Sequence, residues 1–438
     1  MPSSATTIRV GFITLGCPKN EVDSAKMSAA VRDSAFQLVD DPECADVVVI
    51  NTCSFIRDAT EESIATVMEY AHRWIPAGEE RRLIVAGCMP SRYGADLNQA
   101  MAEVDAFLPV GEEGRILELI ADLTDSPWED TGGPNGGGVR LATGPSAYVQ
   151  ISDGCHRRCT YCTIPSIRGD YRSRRLDEIV TEVETLVASG AREIILIGQD
   201  ISAYGRDLDG ADALPEVVRT VAALEGVDWL RLMYVQPDGI TDELLEVMAG
   251  CPNVVEYLDM PLQHASASVL RRMARNGDAA SYLDLIGRIR EALPEVALRT
   301  TLIAGFPGES RADAKALEDF VGEADFNYLG VFPYSQEDGT VAADYTDQIP
   351  SRTRRARAQR LRDRADECGV ARVESLVGST LEVLVEGYDD EEQAIVGRWR
   401  GQAPEIDGIV TLDRGETGQI VSALVTGCIG YDLEAKVL

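Results

Sequence analysis

Ala147-Tyr148-Val149-Gln150-Ile151-Ser152-Asp153-Gly154-Cys155-His156-Arg157-Arg158-Cys159-Thr160-Tyr161-Cys162 reads as a strand that runs into a thiol-bearing loop. The run 147–152 is β-prone and bounded by turn residues, as a buried strand requires. Three thiols follow, with three residues between the first two and two between the last two. Thiolates are the normal ligands of iron–sulfur clusters, and this spacing lets one loop hold three irons of a cubane. No fourth cysteine follows within reach, so one iron is left open to a small molecule. Zinc is the rival reading, although it normally wants a fourth protein ligand.

Downstream, candidate strands at 194–198, 229–235, 254–260, 298–304 and 329–333 join 147–152 in an alternating series. Helical stretches at 176–189, 214–224, 241–249, 281–292 and 311–323 separate them. Six βα units make a partial or complete barrel, or an open wound sheet, and periodicity does not choose between them. Upstream, 125–140 contains Gly132, Gly133, Pro134, Gly136, Gly137 and Gly138 and reads as a flexible linker.

Before the linker, strand-like runs at 8–13, 47–50 and 83–86 alternate with amphipathic stretches such as 21–34 and 58–72, the pattern of a parallel α/β sheet. Cys17, Cys53 and Cys88 each sit directly after one of these runs. Ligands of an open parallel sheet bind beyond the carboxyl ends of its strands, so three cysteines there would converge although far apart in sequence. Gly16 and Gly87 would let the backbone turn beside a bulky cluster. The plainer alternative is that one or two of the three are buried hydrophobes. Cys44, Cys251, Cys368 and Cys428 show no such placement, and His72, His156 and His264 are too scattered for a metal site.

Beyond the alternating series, 351–368 is dense in arginine and also holds Asp363, Asp366 and Glu367, which suits a solvated connecting helix. After Gly378 the pattern changes to short strands at 381–385, 394–398, 408–411, 419–426 and 433–438, the signature of a small all-β barrel. The expected architecture is therefore α/β, with an open parallel sheet at 7–124, a linker at 125–140, a six-unit core at 141–366 and a β-barrel at 370–438.

The formal charge is −32. That sign repels nucleic acid and suits a basic protein partner, though a generally acidic surface would give the same number. Val370 to Leu438 carry 13 acids and 5 bases. No apolar run is long enough to span a bilayer, and Met1–Thr7 lacks a secretory pattern. A cytoplasmic location is expected, where clustered cysteines hold metal or do redox chemistry.

The Cys155–Cys162 run resembles the signature of radical S-adenosylmethionine (SAM) enzymes. With the three outlying cysteines and the terminal β-domain, nearly the whole chain resembles the methylthiotransferases of that superfamily, whose terminal barrel is of the TRAM type. Leu15-Gly16-Cys17-Pro18-Lys19-Asn20, Ile197-Gly198-Gln199-Asp200 followed by Tyr204-Gly205, and Met260-Pro261-Leu262-Gln263-His264-Ala265-Ser266 resemble the RimO branch, which modifies an aspartate of ribosomal protein uS12. The tRNA-modifying branch typically has Gln-Asn in place of Gln199-Asp200 and Gln-Ser-Gly in place of Gln263-His264-Ala265.

The resemblance implies two [4Fe–4S] clusters. The one on Cys155, Cys159 and Cys162 would bind S-adenosylmethionine and cleave it on one-electron reduction to a 5′-deoxyadenosyl radical, which takes hydrogen from the aspartate β-carbon. The one on Cys17, Cys53 and Cys88 would supply the sulfur, methylated by a second S-adenosylmethionine. A one-electron reductant and a sulfur source are implied as partners. Tyr161, Gln199, Asp200, Gln263, His264 and Arg299 are the expected cofactor contacts, Arg299 as a fork for the methionine carboxylate. The acidic terminal barrel favours uS12 over RNA and disfavours direct RNA binding. A tRNA adenosine methylthiotransferase and a non-catalytic iron–sulfur electron carrier are the alternatives.

Overall fold

A computed structural model describes residues 7–74, 81–128, 138–208 and 214–438. Residues 129–137, most of the expected linker, and the N-terminal Met1–Thr6 lie outside the described residues. The chain divides into two compact units. The first comprises Met1–Leu141 with Asp153–Arg157 and Cys162–Tyr171, and the second comprises Ala142–Ser152, Arg158–Tyr161 and Arg172–Leu438.

In the first unit, β1 (Arg9–Thr14), β2 (Gln37–Leu38), β3 (Val47–Thr52), β4 (Arg82–Gly87) and β5 (Ala106–Pro109) form a parallel sheet in the order β2-β1-β3-β4-β5. The helices are α1 (Pro18–Arg32), α2 (Arg57–Trp74), α3 (Cys88–Tyr93), α4 (Asp96–Ala100) and α5 (Ile116–Thr124). Strand β3 is buried along its whole length, which explains why it reads as unbroken Val and Ile. Val47 and Val49 pack with Met27, Val31 and Ile120 of α1 and α5, whereas Val48 and Ile50 pack with Val67 of α2 and Met89 of α3. Helices therefore cover both faces. The strand order reverses between β1 and β3, where an open sheet leaves its ligand crevice. The short strands β2 and β5 have no clear periodicity in the sequence, being two and four residues long.

In the second unit, β6 (Ser146–Gln150) starts a parallel sheet. Two two-residue strands follow, β7 (Ser152–Asp153) and β8 (Arg172–Ser173). Then come β9 (Glu193–Ile197), β10 (Trp229–Leu232), β11 (Val254–Asp259), β12 (Ala297–Ala304) and β13 (Tyr328–Pro333). The large sheet runs β6-β9-β10-β11-β12-β13, each strand beside the next in sequence and parallel to it. No reversal occurs. Right-handed crossovers then place all the helices on one face, so the choice left open by the sequence resolves to a partial barrel rather than a doubly wound sheet. That outer face is the main apolar core: Val149, Leu196, Leu230, Leu258, Leu298 and Leu302 pack against helices that include α7 (Leu176–Ala188), α8 (Leu214–Ala222) and α11 (Ala279–Ala292). The other helices along this stretch of chain are α6 (Ile164–Ile167), α9 (Asp242–Gly250) and α10 (Ala267–Arg272).

The arginine-dense segment is one helix, α13 (Ser351–Glu374), which follows α12 (Arg311–Ala324). It is less solvated than its composition suggests. Ala358, Leu361, Ala365, Gly369 and Val373 form a buried stripe at helical spacing. Arg354 donates to the Tyr334 carbonyl at 2.7 Å and Arg362 to the Val331 carbonyl at 2.8 Å, so the arginines satisfy carbonyls along the β13 edge.

The chain ends in a closed barrel, β14 (Thr380–Asp389), β15 (Ala394–Trp399), β16 (Val410–Leu412), β17 (Ile420–Ile429) and β18 (Asp432–Val437), in the order β14-β15-β16-β18-β17. Val383, Val385, Val410, Ala423, Val425 and Leu433 fill it. A buried charge network joins it to the large sheet. Arg398 bonds Glu193 at 2.6 Å and Glu386 at 2.7 Å, and Arg231 bonds the other Glu193 oxygen at 2.7 Å. Asp407 accepts from Tyr257 at 2.6 Å and from Arg299 at 3.2 Å. Burial alone would raise the Glu193 carboxyl; the two guanidinium groups overcome it and hold the group at about 2. Among the described residues no helix is long and apolar enough to cross a membrane.

Candidate functional site

Cys17, Cys53 and Cys88 stand at the carboxyl ends of β1, β3 and β4, three neighbouring strands at the reversal point. Two glycines make this possible. Gly16 has φ 96°, and a Cβ there would lie 2.4 Å from the Cys53 Cβ and 2.9 Å from its Sγ. Gly87 has φ 91°, and a Cβ there would lie 2.1 Å from Asn51 Oδ1. Any side chain would both strain the backbone and fill the space beside the thiols.

Asn20, fully buried on α1, staples the three tips together. Its Nδ2 donates to the Leu15 carbonyl at 2.8 Å and the Thr52 carbonyl at 3.0 Å, and its Oδ1 lies 3.7 Å from Cys88 Sγ. Ser63 of α2 clamps Cys53, accepting from its N–H at 3.2 Å and donating to its carbonyl at 2.8 Å.

Beside the thiols sits Arg168, whose side chain is only 1% exposed. It donates to Asp23 at 2.9 Å, to Asn20 Oδ1 at 3.0 Å and to Asp153 at 3.2 Å, and its Nη2 is 4.0 Å from Cys88 Sγ. Burial pushes the Cys88 thiol up to about 12, with Arg168 the largest opposing influence. Burial also raises Cys53, the Phe55 backbone N–H opposes it, and a Cys17 thiolate adds to the rise. Cys53 and Cys88 thus ionise readily only where further positive charge is bound. Soft donors on a ring of strand tips, next to glycine-made space and a buried cation, fit a bulkier iron–sulfur group.

The second thiol set lies on the loop after β6. Cys155 is buried, with its N–H bonded to the Gly169 carbonyl at 3.3 Å, while Cys159 and Cys162 are partly exposed. Thr160 fastens the middle of the loop, donating to the Met273 and Arg272 carbonyls at 3.1 and 2.8 Å. Arg275 approaches Cys159 Sγ at 3.8 Å and is fixed by the Gln236 side chain and the Pro261 carbonyl, both at 2.7 Å. All ten cysteines are free of disulfides, as thiolate ligands require. The sequence does not mark Arg168 or Arg275 as site residues, because each reaches its thiol from a distant part of the chain, whereas the place of Asn20 three residues after Cys17 is a local signal.

The other expected contacts divide. Tyr161, Gln199 and Gln263 are partly exposed beyond strand ends. Gln263 is held at φ 70° by bonds to Thr301 and Ile303 of β12, at 2.8 and 2.7 Å. Asp200 is almost wholly buried and accepts from Ser202. His264 is fully buried: Nδ1 accepts from the Ala265 and Ser266 N–H groups at 3.0 and 2.9 Å, and Nε2 faces Glu309 at 3.6 Å. In this position it anchors its own turn. Arg299 lies early in β12, away from the strand's carboxyl end, and its guanidinium is engaged by Asp259 at 3.1 Å and Asp407 at 3.2 Å. It braces the terminal barrel.

Residues 149–321 match the model of the radical SAM superfamily, 9–109 that of uncharacterized protein family UPF0004, and 377–438 that of the TRAM domain. The partial barrel and its three-thiol loop define a radical SAM enzyme. Among solved structures, the radical SAM methyltransferase TsrM of Kitasatospora setae shares the fold, with a TM-score of 0.53 and 14% identity over 86% of this chain and 81% of that one. Curated relatives named ribosomal protein uS12 methylthiotransferase RimO are far nearer in sequence. That of Geobacter sulfurreducens is 42% identical over 98% of both chains, and that of Moorella thermoacetica 44% over 96% of both. The chain belongs to the RimO family of radical SAM methylthiotransferases.

Proposed function

We propose that the chain transfers a methylthio group to the β-carbon of an aspartyl residue of ribosomal protein uS12. The observation that carries this reading is the pairing of a three-thiol loop after β6 with a second thiol set on the tips of β1, β3 and β4, in a chain of this family. A [4Fe–4S] cluster on Cys155, Cys159 and Cys162 would supply the electron that cleaves S-adenosylmethionine, and one on Cys17, Cys53 and Cys88 the sulfur to be transferred.

The protein's own part is positioning. Arg275 and Thr160 fix the core loop, and Arg275 offsets thiolate charge at Cys159. In the N-terminal set Arg168 offsets thiolate charge at Cys88, and Asn20 fixes the strand tips. Tyr161, Gln199 and Gln263, partly exposed beyond the strand ends, are the side chains offered to S-adenosylmethionine. The terminal barrel favours a lysine- and arginine-rich substrate. Of the 4 bases from Thr380 onward, Arg398 is buried against Glu193 and Arg400 bonds the Pro252 carbonyl, while Asp390, Glu391 and Glu392 are exposed. Such a surface repels phosphate and steers a basic protein. A one-electron reductant and a sulfur donor complete the system, which would operate in the cytoplasm.

The test is anaerobic reconstitution with iron and sulfide, followed by incubation with uS12 and, separately, with tRNA. A mass gain on a uS12 aspartate with 5′-deoxyadenosine release is expected. A modified tRNA base with unmodified uS12 would overturn the assignment, and absence of 5′-deoxyadenosine would mark an electron carrier.

A further inference from the structure

One face of this acidic protein has the opposite sign. Residues 351–362, the first half of α13, contain six arginines and no Asp or Glu, on a chain whose formal charge is −32. The first turns of α12 and α13 lie side by side around a cleft of about 530 Å³, lined by Arg311, Lys315, Arg352, Arg357 and Arg360, with Glu318 the one acid. Three carboxylates reach these cations: Glu309 bonds Arg357 at 2.7 Å, Glu318 bonds Arg360 at 3.2 Å and Asp319 bonds Lys315 at 2.5 Å. Arg311 and Arg352 are exposed, and among the described residues neither has a carboxylate partner. Two guanidinium groups are therefore uncompensated at the mouth of a cleft where the positive ends of two helix dipoles also meet.

We infer that this cleft binds the phosphodiester backbone of RNA. Guanidinium forks match phosphate oxygens, and the cleft has room for more than one phosphate group. The inference rests on the uS12 reading and extends it. A ribosomal protein in the assembled particle lies on RNA, which repels a chain so acidic unless one basic face meets the phosphates. The basic face is the α12–α13 cleft and not the terminal barrel. The enzyme then grips RNA beside its protein target and acts on the assembled small subunit.

The test uses the full-length reconstituted enzyme and the double variant R311E/R352E, both substitutions being at exposed positions. A fluorescein-labelled single-stranded fragment of small-subunit RNA is titrated by anisotropy across a salt series. Methylthiolation is followed on free uS12 and on assembled small subunits. The double variant should bind RNA roughly tenfold more weakly, with the slope of log affinity against log salt shallower by about 1.4 for two lost contacts. It should modify subunits roughly tenfold more slowly and free uS12 within about twofold of the parent. Unchanged RNA affinity would overturn the inference. So would a loss on subunits without a loss of RNA affinity, which would point to an acidic protein segment as the occupant, or weaker RNA binding with full activity on subunits. A parent enzyme that modifies neither uS12 nor subunits would sink the substrate reading instead, while the RNA titration would still decide the cleft.

Discussion

The thiol-bearing tips of the N-terminal sheet and the charged inner face of the partial barrel both bury polar groups, and they treat them in opposite ways. On the barrel face every strong charge has its opposite within reach: Glu193 between Arg231 and Arg398, Arg299 between Asp259 and Asp407. At the tips of β1, β3 and β4 the protein holds three soft donors, raises two of them by burial and provides one arginine beside them. The matched set is complete in itself and serves as a joint. The other set is built to receive something. Buried ionisable groups alone do not mark a functional site; a donor set that the chain leaves short of positive charge does.

Four variants break or sharpen that contrast. Replacing Cys159 with Ala should abolish 5′-deoxyadenosine release; release persisting in the reduced, reconstituted variant would remove the core loop from the receiving class. Cys88→Ala should stop methylthiolation while leaving 5′-deoxyadenosine release within about twofold, since product transfer alone needs the second thiol set. Full methylthiolation by that variant would make Cys88 one more buried hydrophobe.

At the joint the effect moves from chemistry to stability. Glu193→Gln leaves two buried guanidinium groups with one weakened acceptor and should cost on the order of 3 kcal/mol, read as a lower urea midpoint. The parent should show the matching acid dependence. The Glu193 pKa is lowered from 4.5 to about 2 on folding, so its contribution is fully present above about 4.5. It is lost as pH falls from there through about 2, and the variant should lack that segment of the profile. The smallest expected effect is that of Arg299→Met, a modest loss of stability with affinity for S-adenosylmethionine within about twofold of the parent. A tenfold loss of affinity at unchanged stability would return Arg299 to the cofactor site.

Position along a predicted strand does not say which way a side chain faces or what already holds it. Arg299 sits five residues before the end of β12 and meets Asp407, more than a hundred positions away. His264 does end its strand region, yet it turns inward to take the N–H groups of the next two residues. Arg168 shows the reverse. It lies six residues beyond Cys162, in an unremarkable Ile-Arg-Gly stretch, and becomes the cation beside Cys88.

The sequence by itself determined the elements and the thiols: alternating apolar runs of the right period, three cysteines on one loop, and three more placed directly after strands. These signals are local, carried by spacing along the chain, and so survive without coordinates. Tertiary structure alone decided that the central sheet is a singly wound partial barrel, that Asn20 joins three strand tips, and that charges such as Glu193 and Arg398 are used up in a joint. It also revealed that the arginines of α13 are shared between an edge strand and an open cleft. Each of these is a pairing across a long stretch of chain. The energy of a buried charge depends on its partner, and no spacing rule names the partner in advance.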